Sequence, residues 1–174
     1  MDLIALVNQS DEVTGYASKM DVHVKGLLHR AFSIIIFNSK NQMLIHRRAD
    51  EKYHSPGLWT NACCSHLPEG AVMETSIYER LNHEMGINCP LEHSFRVHYT
   101  VDVDHGLIEN EIDHVYFGFF EGTPNPNKDE VSEWKWVSIE ELYIDIDKNP
   151  QDYTYWFKHI VQNYRQEIFS FCCK

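Results

Sequence analysis

Phe95-Arg96-Val97-His98-Tyr99-Thr100-Val101-Asp102-Val103 alternates apolar and polar side chains without a break, and Asp104-His105-Gly106 follows it directly. A period of two marks a half-buried strand, and the Asp-His-Gly step predicts a reversal into a second one. Leu107 to Glu121 continues as that partner, with Glu109, Glu111, Asp113, Val115, Phe117 and Phe119 on one face. Upstream the period changes. From Ala71 onward Ile77, Leu81 and Met85 recur every fourth residue, and Gly86 stands where a left-handed cap would end a helix of roughly fifteen residues.

The remainder of the chain fills in around this strand pair and helix. Ala31-Phe32-Ser33-Ile34-Ile35-Ile36-Phe37 is the continuous apolar run of a buried strand, and a polar turn leads from it into Met43-Leu44-Ile45-His46-Arg47. Residues 3–8 and 16–20 predict a short hairpin around Ser10-Asp11-Glu12, and Glu133 to Val137 a further strand. Ser138-Ile139-Glu140-Glu141 is a capping box that starts a second helix, which Pro150 closes. Trp156, Ile160, Tyr164 and Ile168 predict one terminal helix with one face on the core.

With 174 residues, 43% hydrophobic and 13% aromatic, the chain is sized for one sizeable core and a single domain over residues 1–174. No apolar run approaches the roughly 20 residues of a spanning helix, and Met1-Asp2-Leu3-Ile4 lacks a basic region followed by a long apolar one. Those features lead us to expect a soluble protein with no membrane partner. The odd set Cys63-Cys64, Cys89 and Cys172-Cys173 is unlike a disulfide framework and suits a reducing cytosol. A net charge of −11 disfavours a nucleic-acid surface. Yet residues 19–52 gather Lys19, Lys25, Arg30, Lys40, Arg47, Arg48 and Lys52 against Asp21, Asp50 and Glu51, a local patch suited to a small polyanion.

Two short constellations carry reactive groups. In Asn61-Ala62-Cys63-Cys64-Ser65-His66 an extended backbone turns Cys64 and His66 to the same side, and in Glu109-Asn110-Glu111 it does so for the two acids. A thiol and a carboxylate facing each other across a cleft suit addition of a proton on one side of a substrate and removal on the other. Imidazoles and carboxylates together suit a divalent metal. The bland alternatives are a buried small hydrophobe for Cys64 and an exposed strand face for the acids. Apolar neighbours make unpaired carboxylates expensive there.

The order of strand, loop, helix ending Glu84-Met85-Gly86-Ile87, strands and late helix resembles the Nudix superfamily. Only one acid of that family's acidic pair remains, Glu84, which argues against pyrophosphate hydrolysis. With Trp59-Thr60-Asn61 ahead of Cys64-Ser65-His66, then Glu109-Asn110-Glu111, and His23 and His29 before the first core strand, the chain is similar to the type I isopentenyl diphosphate isomerases. The family's usual His-Pro is here His66-Leu67-Pro68.

The resemblance implies an α+β fold with a Nudix-like mixed β-sheet core flanked by helices. It implies that His23, His29, His66, Glu109 and Glu111 hold Mn, Zn or Mg, and that Glu84 holds a Mg ion bridging the diphosphate. Lys19, Arg48, Lys52 and Arg80 are implied to grip phosphate oxygens, with Arg30 and Arg47 having the weaker claim. Glu111, assisted by Tyr99, is implied to deliver a proton, Cys64 as thiolate to remove one, and Trp156 to face the developing cation. The other eight histidines, His54 among them, keep structural readings. No flavin or nicotinamide fingerprint is present. The alternatives are a Nudix pyrophosphohydrolase acting on a nucleoside diphosphate derivative, and a metal-stabilised binding module with Cys64 and His66 as structural ligands.

Overall fold

The alternating pair forms the longest hairpin of the protein, β7 (Leu91–Val103) against β8 (Leu107–Phe119), in a computed structural model that describes residues 3–52 and 54–172. A short 3₁₀ turn over Asp104–Gly106 joins them, with His105 in the left-handed region at φ 61°. Antiparallel register sets Tyr99 opposite Glu111 and Val101 opposite Glu109. Residues on that face therefore share one environment.

The other edge of β8 runs parallel to β3 (His29–Phe37), which places His29 beside Glu111 and Ser33 beside Val115. On β3 also pair β6 (Cys63–His66), antiparallel with Ala31 opposite His66, and the N-terminal hairpin of β1 (Leu3–Val7) and β2 (Val13–Ser18), through Leu6 and His29. Further strands β4 (Gln42–Arg48), β5 (Trp59–Thr60) and β9 (Val131–Ser138) complete the sheet, β4 pairing with β3, β5 and β9. Parallel and antiparallel pairs coexist, so the sheet is mixed.

Both faces of β3 are covered, which is why its sequence does not alternate. Ile35 and Phe37 enter a core completed by α3 (Ile139–Lys148), α4 (Tyr155–Asn163) and α5 (Arg165–Cys172). Phe32, Ile34 and Ile36 enter a second core under α2 (Met73–Met85), with Leu81 and Met85. Each such fully buried side chain contributes roughly 1.5–3 kcal/mol relative to exposure. Helices flanking a mixed sheet give the α+β architecture.

Two local expectations change. A helix, α1 (Lys19–Lys25), occupies the end of the expected second strand, capped by Ser18 at its start and by Gly26 at φ 60° at its end. At seven residues it is too short to display a period. The expected single terminal helix is two, because Tyr164 leaves helical geometry (φ −119°, ψ 38°) with its ring stacked on Phe95 at 4.1 Å. Ile160 and Ile168 remain fully buried across the break, which preserves the four-residue spacing. The capping box at Ser138 and Glu141 forms as expected. Cys172 is buried, whereas Cys173 lies outside the described residues.

Candidate active site

Four backbone segments converge on one buried cluster. His23 comes from α1, which packs beside β8 and is tied to it by Asn110 Nδ2 donating to Gly26 O at 3.0 Å. His29 opens β3, His66 closes β6, and Glu109 and Glu111 project from β8. His23 and His29 are fully buried and Glu109 is 1% exposed. His23 Nε2 lies 3.1 Å from Glu109 Oε2, and His29 Nε2 lies 3.7 Å from that same oxygen. His66 Nε2 is 2.9 Å and His29 Nε2 3.1 Å from Glu111 Oε1. Ligand atoms of His23, His29, His66 and Glu109 all fall within 4.8 Å of one another.

The hydrogen bonds behind this cluster decide what it suits. His23 Nδ1 lies 2.5 Å from Lys19 O, and His29 Nδ1 lies 2.8 Å from Leu27 O. A carbonyl only accepts, so both Nδ1 atoms are donors and the neutral ring presents a lone pair at Nε2. Lone pairs aimed at carboxylate oxygens repel one another unless a proton or a cation lies between them. Glu109 Oε2, despite its nearby nitrogens, makes no hydrogen bond of acceptable geometry. Nitrogens oriented by backbone carbonyls and a buried carboxylate oxygen in search of a positive partner fit a divalent cation. Cys64 is not among the converging ligand atoms, which removes the structural Cys64–His66 metal site.

Electrostatics split the two acids. Burial and the neighbouring Glu111 raise the Glu109 carboxyl, while for Glu111 burial is outweighed by His29 and His66, which hold it well below the usual range. Burial likewise pushes His66 down to about 3 against the pull of Glu111. The Tyr99 hydroxyl donates to Glu111 Oε2, as its register position allows, and burial with the adjacent acids raises it.

Cys64, His66, Glu111 and Trp156 line one cleft, together with Lys19, Arg48, Lys52, Arg80 and Glu84. Cys63 points away into the core under α2, and so the alternation of β6 distinguishes the two thiols. Burial pushes the Cys64 thiol up to about 12, with Arg48 Nη1 at 3.9 Å from Sγ pulling the other way. Trp156 is anchored by Nε1 donating to Thr60 Oγ1 at 3.0 Å.

The basic end of the cleft is braced by acids. Arg80 pairs with Glu84, Lys52 with Glu130, and Arg80 Nη2 lies 3.5 Å from Glu130 Oε1. Burial raises the Glu84 carboxyl although Arg80 opposes it. Arg30 and Arg47 are committed elsewhere: Arg30 Nε donates to Asp11 Oδ1 at 2.8 Å, and Arg47 Nε to Gly57 O at 2.7 Å. Three titratable cleft residues, His46, His54 and Glu130, carry no site role in the sequence reading. None sits in a motif, and only the pairing that brings β4, the β4–β5 loop and the start of β9 to the cleft puts them there.

The NUDIX domain model matches residues 27–160, from just after α1 into α4. An isopentenyl-diphosphate Delta-isomerase 2 of Photorhabdus laumondii is 45% identical over 92% of this chain and 90% of its own. An isopentenyl-diphosphate Delta-isomerase of Pectobacterium atrosepticum is 44% identical over 89% and 87%. Among solved structures, a protein of Deinococcus radiodurans superposes with a TM-score of 0.77 at 18% identity, over 92% of this chain and 98% of its own, and so shares the fold. The chain belongs to the isopentenyl-diphosphate Delta-isomerase family within the NUDIX fold.

Proposed function

We propose that the protein interconverts isopentenyl diphosphate and dimethylallyl diphosphate by a 1,3-allylic proton shift. The observation that carries this reading is the shared cleft: Cys64 and Glu111, which accepts from Tyr99 behind it, line the same space as the cations Lys19, Arg48, Lys52 and Arg80. A proton is added at the terminal carbon, the double bond moves from C3–C4 to C2–C3, and a proton leaves C2. Atoms and charge balance with no redox partner. Cys64 and Glu111 make the two exchanges with carbon, each giving in one direction and taking in the other.

An unactivated alkene is a poor base, so its protonation passes through a tertiary cation that water would capture. Trp156, held by its hydrogen bond to Thr60, offers its ring to that cation, and the buried walls exclude water. Lys19, Arg48, Lys52 and Arg80 bind the diphosphate. His23, His29, His66, Glu109 and Glu111 would hold Mn, Zn or Mg, and Glu84 a Mg ion against the phosphates. These ions supply positive charge that polarises Glu111 and neutralises phosphate oxygens. Free thiols at Cys63, Cys64 and Cys89 support a reducing, cytosolic setting, and no helix among the described residues is long and apolar enough to cross a membrane.

Incubation of the protein with isopentenyl diphosphate and a divalent cation in deuterated water, followed by NMR, tests the reading. Deuterium in the new methyl group of dimethylallyl diphosphate is expected. Release of inorganic phosphate with no labelled product would assign the cleft to hydrolysis instead.

A further inference from the structure

We propose that His54 is a positioning residue for the imidazole–carboxylate centre, holding one oxygen of Glu109 so that the other is turned toward His23, His29 and His66. The inference rests on the reading of that centre as a divalent-cation site. It concerns a residue outside the converging ligand set. His54 Nε2 lies 3.1 Å from Glu109 Oε1, whereas the imidazoles of the cluster approach Oε2. The two oxygens of one carboxylate are thereby divided between two tasks. Both side chains are buried, His54 at 4% and Glu109 at 1% exposed.

A buried carboxylate left with one oxygen unpaired is costly, and a carboxylate that rotates about its last bond presents a poorly placed ligand. A donor fixed on Oε1 removes both problems. The His54 ring is itself fixed. It stacks at 5.7 Å on His23 and stands edge-on at 5.9 Å to Trp156. Its backbone is held by Arg48, whose Nη2 donates to His54 O at 3.3 Å and whose Nε donates to Ser55 O at 3.1 Å. Ser55 N in turn donates to Asp104 Oδ2 at 2.9 Å, at the start of the turn that leads into the strand of Glu109. The β4–β5 loop is therefore fastened at both its arginine and its neighbouring hairpin, and His54 meets Glu109 from a rigid support. Lys52, on the same loop, reaches the basic end of the cleft, so one segment serves both halves of the site.

The test compares the parent with His54→Phe, which keeps a ring but no donor, His54→Ala, and His54→Gln, whose amide reaches the position of Nε2. Affinity for Mn²⁺ and for Zn²⁺ is measured by competition with a chromophoric chelator, alongside melting in excess chelator and the kcat and KM of the saturated enzyme. Loss of an outer partner of a metal ligand weakens binding about 10–100-fold. That loss is expected for Phe and Ala, with near-parent affinity in Gln, a metal-free melting temperature that falls in Phe and Ala as Glu109 Oε1 loses its partner, and KM for the diphosphate much less affected than kcat. Parent-like affinity in either Phe or Ala overturns the inference while leaving the metal centre intact, as does a Gln variant as weak as both. A parent that binds neither ion removes the centre itself, and the inference with it.

Discussion

Replacing the adjacent thiols with alanine one at a time separates the sulfur that does chemistry from the one that packs. Cys63 is fully buried with Leu81 and Met85, and its thiol faces Glu84. Cys63→Ala removes one heavy atom from a sealed site, a loss of about 1–2 kcal/mol once the residual cavity is included. In a chain of this size each kcal/mol shifts Tm by about 2–4 °C, so a fall of about 2–8 °C is expected. Disturbing Glu84 raises KM a few-fold at most, and kcat stays near the parent. Cys64 lines the cleft and exchanges a proton with carbon in our reading, a contribution of about 10²–10⁴ in rate. Cys64→Ala should therefore lower kcat by at least about 100-fold, which corresponds to about 2.7 kcal/mol of barrier. Its Tm should move less than that of Cys63→Ala. The assay is appearance of the dimethylallyl methyl signals by NMR, paired with calorimetric melting. Retained turnover in Cys64→Ala, with loss in Cys63→Ala, would refute the reasoning, because the strand alternation would then have selected the wrong sulfur.

Tyr99→Phe leaves a buried oxygen of Glu111 without its donor, at a cost of about 1–3 kcal/mol, and should lower kcat by about 10–100-fold with KM little changed; steady-state kinetics in which KM alone moves would contradict it. Gly86→Ala should destabilise by about 2 kcal/mol or more, seen as a Tm loss of about 4–8 °C, because φ is 64° and a Cβ there would meet Asn125 O at 2.6 Å. The Asp11 carboxyl is raised by burial, but Arg30 and His114 outweigh that and leave it below its ordinary value. A depressed folded value means stabilisation that is complete above the unfolded value of about 3.9 and is lost as pH falls through the folded one. Asp11→Asn, which tolerates the left-handed φ of 64°, should cost no more than about 1 kcal/mol at pH 7. Its Tm deficit should shrink below about pH 4, and a deficit that grows in acid would reverse the sign.

Local pattern and long-range pairing divided the information in this chain. Alternation in Phe95–Val103 and Leu107–Phe119 fixes which acids share a face, and the same alternation in Cys63–His66 sends Cys64 to the cleft and Cys63 to the core. The four-residue spacing ending at Gly86 identifies α2, whose capping glycine sits where Asn125 leaves no room for a Cβ. Helix α1 escaped because seven residues complete barely two turns, although Ser18 with Asp21 and the Gly26 cap are its start and stop signals. The terminal break escaped for a different reason: it depends on the Phe95 ring, some seventy residues distant in the chain.

The same division explains why the histidines of the candidate metal centre needed a family resemblance whereas the acids did not. Glu109 and Glu111 lie two apart on one strand, so a local rule is enough to aim them together. His29 reaches Glu111 only through the parallel register of β3 on β8, and His23 reaches Glu109 only because α1 is set against that strand. His54 depends on a further layer still, the arginine and aspartate bonds that seat its loop. Each added layer is a contact between segments remote in sequence, and no spacing rule encodes such contacts. It follows that the residues hardest to read from sequence are those that orient the ligands rather than those that serve as ligands. In this chain the outer partner of Glu109 is the side chain whose replacement tests that conclusion most directly.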